Sequence, residues 1–380
     1  MNGRMAVLPG YGEPVEIREY PVPDPEPGGM ILEIEQAAIC GSDLHVWRGD
    51  TANEPESAAA LGFGHEGFGR VCRLGEGTIT DNAGRPLRIG DRVIHHVLPA
   101  PLGRLPALSS RRAYGEWPYF FSTFADYFYV SANRAVFRVP DELPDDILPS
   151  VNCAMGAAIN ALLRGGVAFG SRVVIFGAGG LGLTATAAAK AMGATTVIVT
   201  DRIESRLHLA QQFGADHVVN VAEITTREDR VTAIRDLTGG ADIVLELVGL
   251  ASLLPEGVAM LAPGGTFVEV GLFFTGTSVA FDPSTLLRGN KKIVGSPGYP
   301  PDLIPKILDF LVRDHRAIPF DRIISHRFGL EQINEALKSA DWNQSQPAVT
   351  RAVLIPQHRA AQPAESPAEA EEARGHGSRP

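Results

Sequence analysis

Gly177-Ala178-Gly179-Gly180-Leu181-Gly182 stands directly after the apolar run Val173-Val174-Ile175-Phe176 and directly before an Ala-rich stretch over 183–192 that Gly193 closes. A glycine turn in that position does three things at once. It lets the chain reverse tightly, brings backbone close to a pyrophosphate, and packs a helix against the strand it leaves. The free N–H groups at the start of that helix face the phosphates. Further apolar runs follow at 196–200, 217–221, 241–248, 265–271 and 291–294, with helical patterns between most of them. With 172–176 they predict six strands of a doubly wound parallel sheet. Asp201 lies nineteen residues after Gly182. A carboxylate there accepts from both ribose hydroxyls of NAD and repels a 2′-phosphate, a repulsion that Arg202 softens. NAD is therefore expected over NADP.

The first 145 residues have a different texture. Short apolar runs alternate with Gly- and Pro-rich turns, which predicts a β-rich unit. Within it, Cys40-Gly41-Ser42-Asp43-Leu44-His45 and Gly64-His65-Glu66-Gly67 gather a thiol, imidazoles and carboxylates. Those groups suit a catalytic zinc with an open position. Cys40 and His65 are the first two expected ligands. Cys153, the only thiol near the junction of the two textures, is the third, giving a Cys₂His set. Glu66 either binds the metal when water leaves or tunes it from behind. Asp43 is placed to orient His65 by accepting its other ring N–H. Ser42 and His45 offer a route by which an alcohol proton reaches solvent. Cys72 reads as a small core residue. His95 and His96, adjacent in a strand, point to opposite faces and are not expected to share a site.

Together these segments resemble the zinc-dependent alcohol dehydrogenases of the medium-chain dehydrogenase/reductase superfamily, from about Met5 to Ile355. The resemblance is carried by residues 40–45, 64–71, Gly90-Asp91-Arg92-Val93, Cys153, and the glycine turn with Asp201. It implies a GroES-like catalytic domain and a Rossmann domain with a cleft between them. It also implies that Val248-Gly249, Gly271-Leu272 and Gly295-Ser296 line the nicotinamide, and that Arg351 reaches the cofactor pyrophosphate. The expected boundaries are 1–147 for the catalytic domain, completed by 297–356, then 148–296 for the Rossmann domain and a disordered tail at 357–380. Many relatives hold a structural zinc with four cysteines after the Gly-Asp-Arg-Val strand. The corresponding stretch here, 98–117, has no cysteine, so a single catalytic zinc per chain is expected.

Composition narrows the class further. A chain of 380 residues suggests two domains, and its net charge of -10 disfavours nucleic acid as a partner. Three cysteines make no disulfide framework, and the first residues lack a signal-peptide apolar core, so a cytoplasmic enzyme is expected. No run approaches the roughly 20 apolar residues of a membrane span. Trp47, Trp117, Tyr119, Phe120 and Phe121 fall in segments that the resemblance places near the cleft. If they line it, the substrate is a bulky apolar secondary alcohol or its ketone. A homodimer or homotetramer is expected from the resemblance alone. Two alternatives remain open: a double-bond reductase with zinc lost or idle, and a dinucleotide-binding protein without turnover.

Overall fold

The computed structural model describes residues 1–50, 63–98, 117–271, 277–341 and 350–356. The first part contains β1 (Asn2–Val7), β2 (Glu16–Pro21), β3 (Met30–Ala38), α1 (Gly41–Arg48), β4 (Phe68–Leu74), β5 (Arg92–His95), β6 (Tyr127–Val130) and β7 (Val136–Arg138). β3 is central because both its faces are buried along most of its length. It pairs antiparallel with β4 and with β6. A single π-helical turn, Val151–Met155, then leads into α2 (Gly156–Gly165).

The second part alternates as the glycine turn requires: β8 (Arg172–Phe176), α3 (Gly180–Ala191), β9 (Thr196–Asp201), α4 (Glu204–Gln212), β10 (His217–Asn220), α5 (Arg227–Thr238), β11 (Ala241–Glu246), α6 (Leu253–Met260), β12 (Leu261–Glu269), α7 (Ser284–Gly289) and β13 (Lys292–Gly295). The six strands form one parallel sheet in the order β10-β9-β8-β11-β12-β13. Its centre is apolar on both faces, with Val173, Val174, Ile175, Val244 and Leu245 fully buried. All six expected strands are present. β11 ends at Glu246, two residues short of expectation, because the Glu246 carboxylate accepts from Val248 N and Gly249 N at 2.8 Å and turns the chain.

The chain then recrosses to the first part through α8 (Leu303–Asp314), β14 (His326–Gly329), α9 (Ile333–Ala340) and β15 (Ala352–Ile355). α8 buries Leu303, Ile304, Ile307, Leu308 and Leu311, one apolar stripe of an amphipathic helix. β15 pairs antiparallel with β3, and β14 pairs parallel with β15, extending the first sheet to seven strands. Phe320–Ile323 is a 3₁₀ turn, and pairing with β15 starts only at His326 opposite Ala352. No helix among the described residues is long and apolar enough to cross a membrane.

Candidate active site

α1 begins with a cap that also builds a ligand cluster. Cys40 is the N-cap, and Asp43 Oδ2 accepts from Cys40 N at 2.7 Å. The other oxygen, Oδ1, accepts from Gly64 N at 2.8 Å and lies 3.4 Å from His65 Nδ1. One buried carboxylate therefore joins the Cys40 loop to the His65 loop and lies against the imidazole. The π-helical turn brings Cys153 Sγ to 3.4 Å from His65 Nε2. One ligand atom from each of Cys40, His65, Glu66 and Cys153 lies within 4.8 Å of the others.

The electrostatics of this cluster suit a cation. A hydrogen bond from Cys153 holds the Cys40 thiol well below its usual range, with help from His65 and the Arg351 charge. Cys153, donating that bond, is held well above. Burial alone would depress His65, but Asp43 and Cys40 raise it well above the usual imidazole value. Burial pushes Glu66 up to about 8 against the pull of the Arg351 guanidinium. Glu66 Oε2 is 2.6 Å from Arg351 Nη1, while the buried Oε1 has no hydrogen-bond partner among the described residues. Two soft thiols, an imidazole and an unsatisfied carboxylate oxygen in one small space fit zinc.

Asn152 ties the cluster together, and no sequence pattern points to it. It is fully buried. Its Oδ1 accepts from Gly67 N at 3.1 Å, and its Nδ2 donates to His65 O at 3.0 Å and meets His95 Nε2 at 3.4 Å. Its carbonyl accepts from the Tyr299 hydroxyl at 2.5 Å. His95 points into the core, stacked on Phe128, whereas His96 faces the cleft with Nε2 3.1 Å from Tyr299 O.

The cleft has a volume of about 1510 Å³ and runs from the ligand cluster to the glycine turn. Ser42, His45, Cys40 and Cys153 line one end. Ser42 Oγ is 3.5 Å from His65 Nε2, and His45 Nδ1 is 2.7 Å from Asp50 Oδ2. Gly177, Gly179, Gly180, Leu181, Asp201 and Arg202 line the other end. Gly177 has φ +98°. A Cβ on Gly182 would sit 1.8 Å from Gly177 O, so only glycine closes this turn. A Cβ on Gly179 would meet nothing within 4 Å, which leaves open space in front of the α3 N-terminus. Asp201 Oδ2 accepts from Ala178 N at 2.7 Å, and Oδ1 accepts from Arg202 N at 2.7 Å and Ile203 N at 3.0 Å. Val248, Gly271 and Ser296 line the cleft between its two ends; Leu272 lies outside the described residues.

The expectation for the aromatic residues changes, and that for Arg351 is extended. Arg351 was expected to reach the pyrophosphate. It sits beside Gly180, where a Cβ would come within 3.1 Å of its Nε, and also grips Glu66, so it spans both halves of the site. The aromatics do not wall the described cleft. Trp47 and Phe120 are buried in the β-rich cores, and Tyr119 and Phe121 pack against one of them. Trp117 is 58% exposed, its ring against Tyr129. They follow the β-sheet packing because the large apolar rings fill the space between strands. Most of the cysteine-free stretch 98–117 lies outside the described residues.

A β-rich unit carrying a thiol–imidazole–carboxylate cluster, facing a doubly wound sheet with a phosphate-binding turn, defines a metal-dependent dehydrogenase architecture. Comparison with known proteins agrees. Residues 26–141 match the alcohol dehydrogenase GroES-like domain, and residues 180–313 match the zinc-binding dehydrogenase family. The chain is 31% identical to a 5-exo-hydroxycamphor dehydrogenase of Pseudomonas putida, covering 85% of this chain and 92% of that one. It is 30% identical to a sorbitol dehydrogenase of Bombyx mori, covering 88% and 94%. An alcohol dehydrogenase from Thermotoga maritima superposes with a TM-score of 0.81 at 26% identity, over 94% of this chain and all of that one. The chain belongs to the zinc-type alcohol dehydrogenases of the medium-chain dehydrogenase/reductase superfamily. It is accordingly an oxidoreductase acting on CH–OH donors, in a family that uses zinc and a nicotinamide cofactor.

Proposed function

We propose that this chain transfers hydride between a bulky, apolar secondary alcohol or its ketone and NAD(H), with one zinc held by Cys40, His65 and Cys153. The observation that carries this reading is the four-donor cluster, with its unsatisfied Glu66 oxygen, at one end of a cleft whose other end is an open phosphate cradle. When bound, zinc supplies Lewis acidity toward the alcohol oxygen and the nicotinamide ring accepts the hydride. Ser42 Oγ would accept the alcohol proton as it gives up its own, and His45, three residues on along the same face of α1, would pass a proton on to solvent. Asp43 keeps the His65 ring oriented, and Arg351 balances the charge of Glu66 while facing the pyrophosphate.

Asp201 supports NAD over NADP. Three backbone amides fix its carboxylate at the ribose end, where it accepts from hydroxyls and repels a 2′-phosphate. The substrate end of the cleft is mostly apolar, with Ile39, Leu44, Val97, Leu98 and Ala157. Among the described residues, that lining favours a substrate like that of the hydroxycamphor relative over a polyol, whose hydroxyls need more partners than Ser42, His45 and His96 provide. The catalytic unit is assigned to 1–147 with 297–356 and the cofactor unit to 148–296. A dimer through the β13 edge is supported by exposed Ile293 on that strand, and light scattering of the purified chain tests it.

The decisive experiment is elemental analysis paired with a substrate panel. About one zinc per chain is expected, with NAD-dependent oxidation of bicyclic or aromatic secondary alcohols exceeding that of polyols and amino-acid alcohols. Full alcohol oxidation by zinc-free protein would overturn the metal role. Alkene reduction by Cys40→Ala protein without carbonyl reduction would point instead to a double-bond reductase. Tight NAD(H) binding with no turnover across the panel would point to a binding protein.

A further inference from the structure

The C-terminal end of α1 holds a carboxylate against the relay histidine, and the mechanism above gives that carboxylate no role. The helix stops at Gly49, which is left-handed at φ +85°. Gly49 N donates to His45 O at 3.1 Å and to Val46 O at 3.2 Å, and Asp50 N donates to the same His45 carbonyl at 3.0 Å. A left-handed glycine is the usual way for a helix to end in such a turn. The turn folds Asp50 back over the last residues of the helix. Asp50 Oδ2 then lies 2.7 Å from His45 Nδ1. One residue therefore engages His45 twice, at its carbonyl and at its ring.

The ring stands between two environments. His45 lines the cleft, whereas Asp50 is not among the residues that line it, and its side chain is 41% exposed. A carboxylate only accepts hydrogen bonds, so Nδ1 must carry the proton that joins the pair. The neutral ring then has its lone pair at Nε2. Arg48 fixes the carboxylate in turn. Its Nη1 is 3.6 Å from Asp50 Oδ2, and its Nη2 donates at 2.5 Å to Oδ1 of the buried Asp341, at the end of α9. The carboxylate is thus held from both sides, by its own turn and by a guanidinium anchored on a second helix.

We propose that Asp50 is a positioning residue for proton transfer: it holds His45 in the tautomer whose Nε2 takes the proton that leaves the alcohol. The inference rests on the reading above, in which Ser42 and His45 form the relay. The neutral ring, with its proton on Nδ1, gains one proton at Nε2 and becomes an imidazolium. Loss of one proton to water restores the neutral ring for the next turnover. Asp50 takes no proton itself. Its charge stabilises the imidazolium formed in between, across 2.7 Å, the length of a charge-assisted hydrogen bond. A solvent-exposed pair of this kind contributes little to the fold, so its effect belongs to the rate and not to stability.

The test is a single turnover of the zinc-loaded protein with NAD and the faster of two alcohols, borneol and 1-phenylethanol, read by NADH absorbance. Asp50→Asn can donate to Nδ1 and so invert the tautomer, and hydride transfer should slow by about tenfold. Asp50→Ala, which offers Nδ1 no acceptor, should slow it similarly. Neither variant should shift the melting temperature or the dissociation constant for NAD appreciably. In His45→Gln protein, itself slow, adding Asp50→Asn should cost nothing further, because the ring that Asp50 holds is gone. An unchanged rate in folded Asp50→Asn and Asp50→Ala protein, or the same loss with and without His45, overturns the inference alone. A full rate in His45→Gln protein, or oxidation of neither alcohol by the native protein, overturns the functional reading and the inference with it.

Discussion

Replacing Asn152 with alanine should loosen the metal far more than it loosens the fold. The side chain is fully buried and serves His65 O, Gly67 N and His95 Nε2 at 3.0 to 3.4 Å. Truncation leaves two backbone groups of the His65 loop unsatisfied in a buried setting, at about 1–3 kcal/mol each. Relaxation of that loop shifts His65 relative to Cys153, which the same turn carries one residue on. Removing a group that orients a metal ligand typically costs about 10–100-fold in metal affinity, and that range is expected here. The assay is competition between the protein and a chelator, with released zinc read by a dye. The ligand-field spectrum of the cobalt-substituted protein gives a second, geometric readout. Asn152→Asp retains the acceptor for Gly67 N but cannot donate to His65 O, so it should fall between alanine and the native residue. Zinc affinity within about twofold of native in folded Asn152→Ala protein, with an unchanged cobalt spectrum, would refute the argument.

Three other outcomes follow from the geometry. Gly182→Ala should abolish NAD binding and lower the melting temperature sharply, because its Cβ would collide with Gly177 O; a thermal scan and a cofactor titration check it. Arg351→Met should destabilise the protein by about 1–3 kcal/mol, because Glu66 takes up a proton and its buried Oε2 loses its partner, and denaturant unfolding of the wild type and Arg351→Met at fixed zinc measures it. Asp201→Ala should cut kcat/KM for NAD while raising the NADP to NAD ratio. It frees three backbone amides at the ribose end, and steady-state kinetics with both cofactors reads the change.

What could be read from the sequence was what depends on near neighbours in the chain. The glycine turn announced itself because a strand, a reversal and a helix must follow one another within a few residues. The cap that pairs Cys40 with Asp43 spans only three positions, yet it was not read from the sequence. Asp43 was expected to orient His65 on chemistry alone, and its Oδ1 lies 3.4 Å from His65 Nδ1. Three features were hidden because they are made by distant segments. Asn152 acts only because a π-helical turn meets the His65 loop. Arg351 reaches Glu66 only because β15 is laid against β3. The rings at Trp47 and Phe120 are absorbed by inter-strand packing, which no local pattern distinguishes from exposure to a cleft. The start of β14 at His326 is likewise set by a distant segment, since its partner β15 fixes where pairing begins.

The recrossing of the chain has a mechanical consequence. The polypeptide passes between its two halves twice, once at the turn bearing Cys153 and once near Tyr299. The Tyr299 hydroxyl holds the Asn152 carbonyl, and its ring lies where a Cβ on Gly156 would come within 2.3 Å. Two pinned crossings side by side leave one rotational freedom, as two pins leave a door. Points near such a pivot travel little, and points far from it travel most. The thiol-bearing corner sits at the pivot, and Asp201, at the other end of the cleft, lies away from it. Opening would therefore widen the mouth through which the adenosine end enters, while atoms that must meet at bonding distance stay nearly in place.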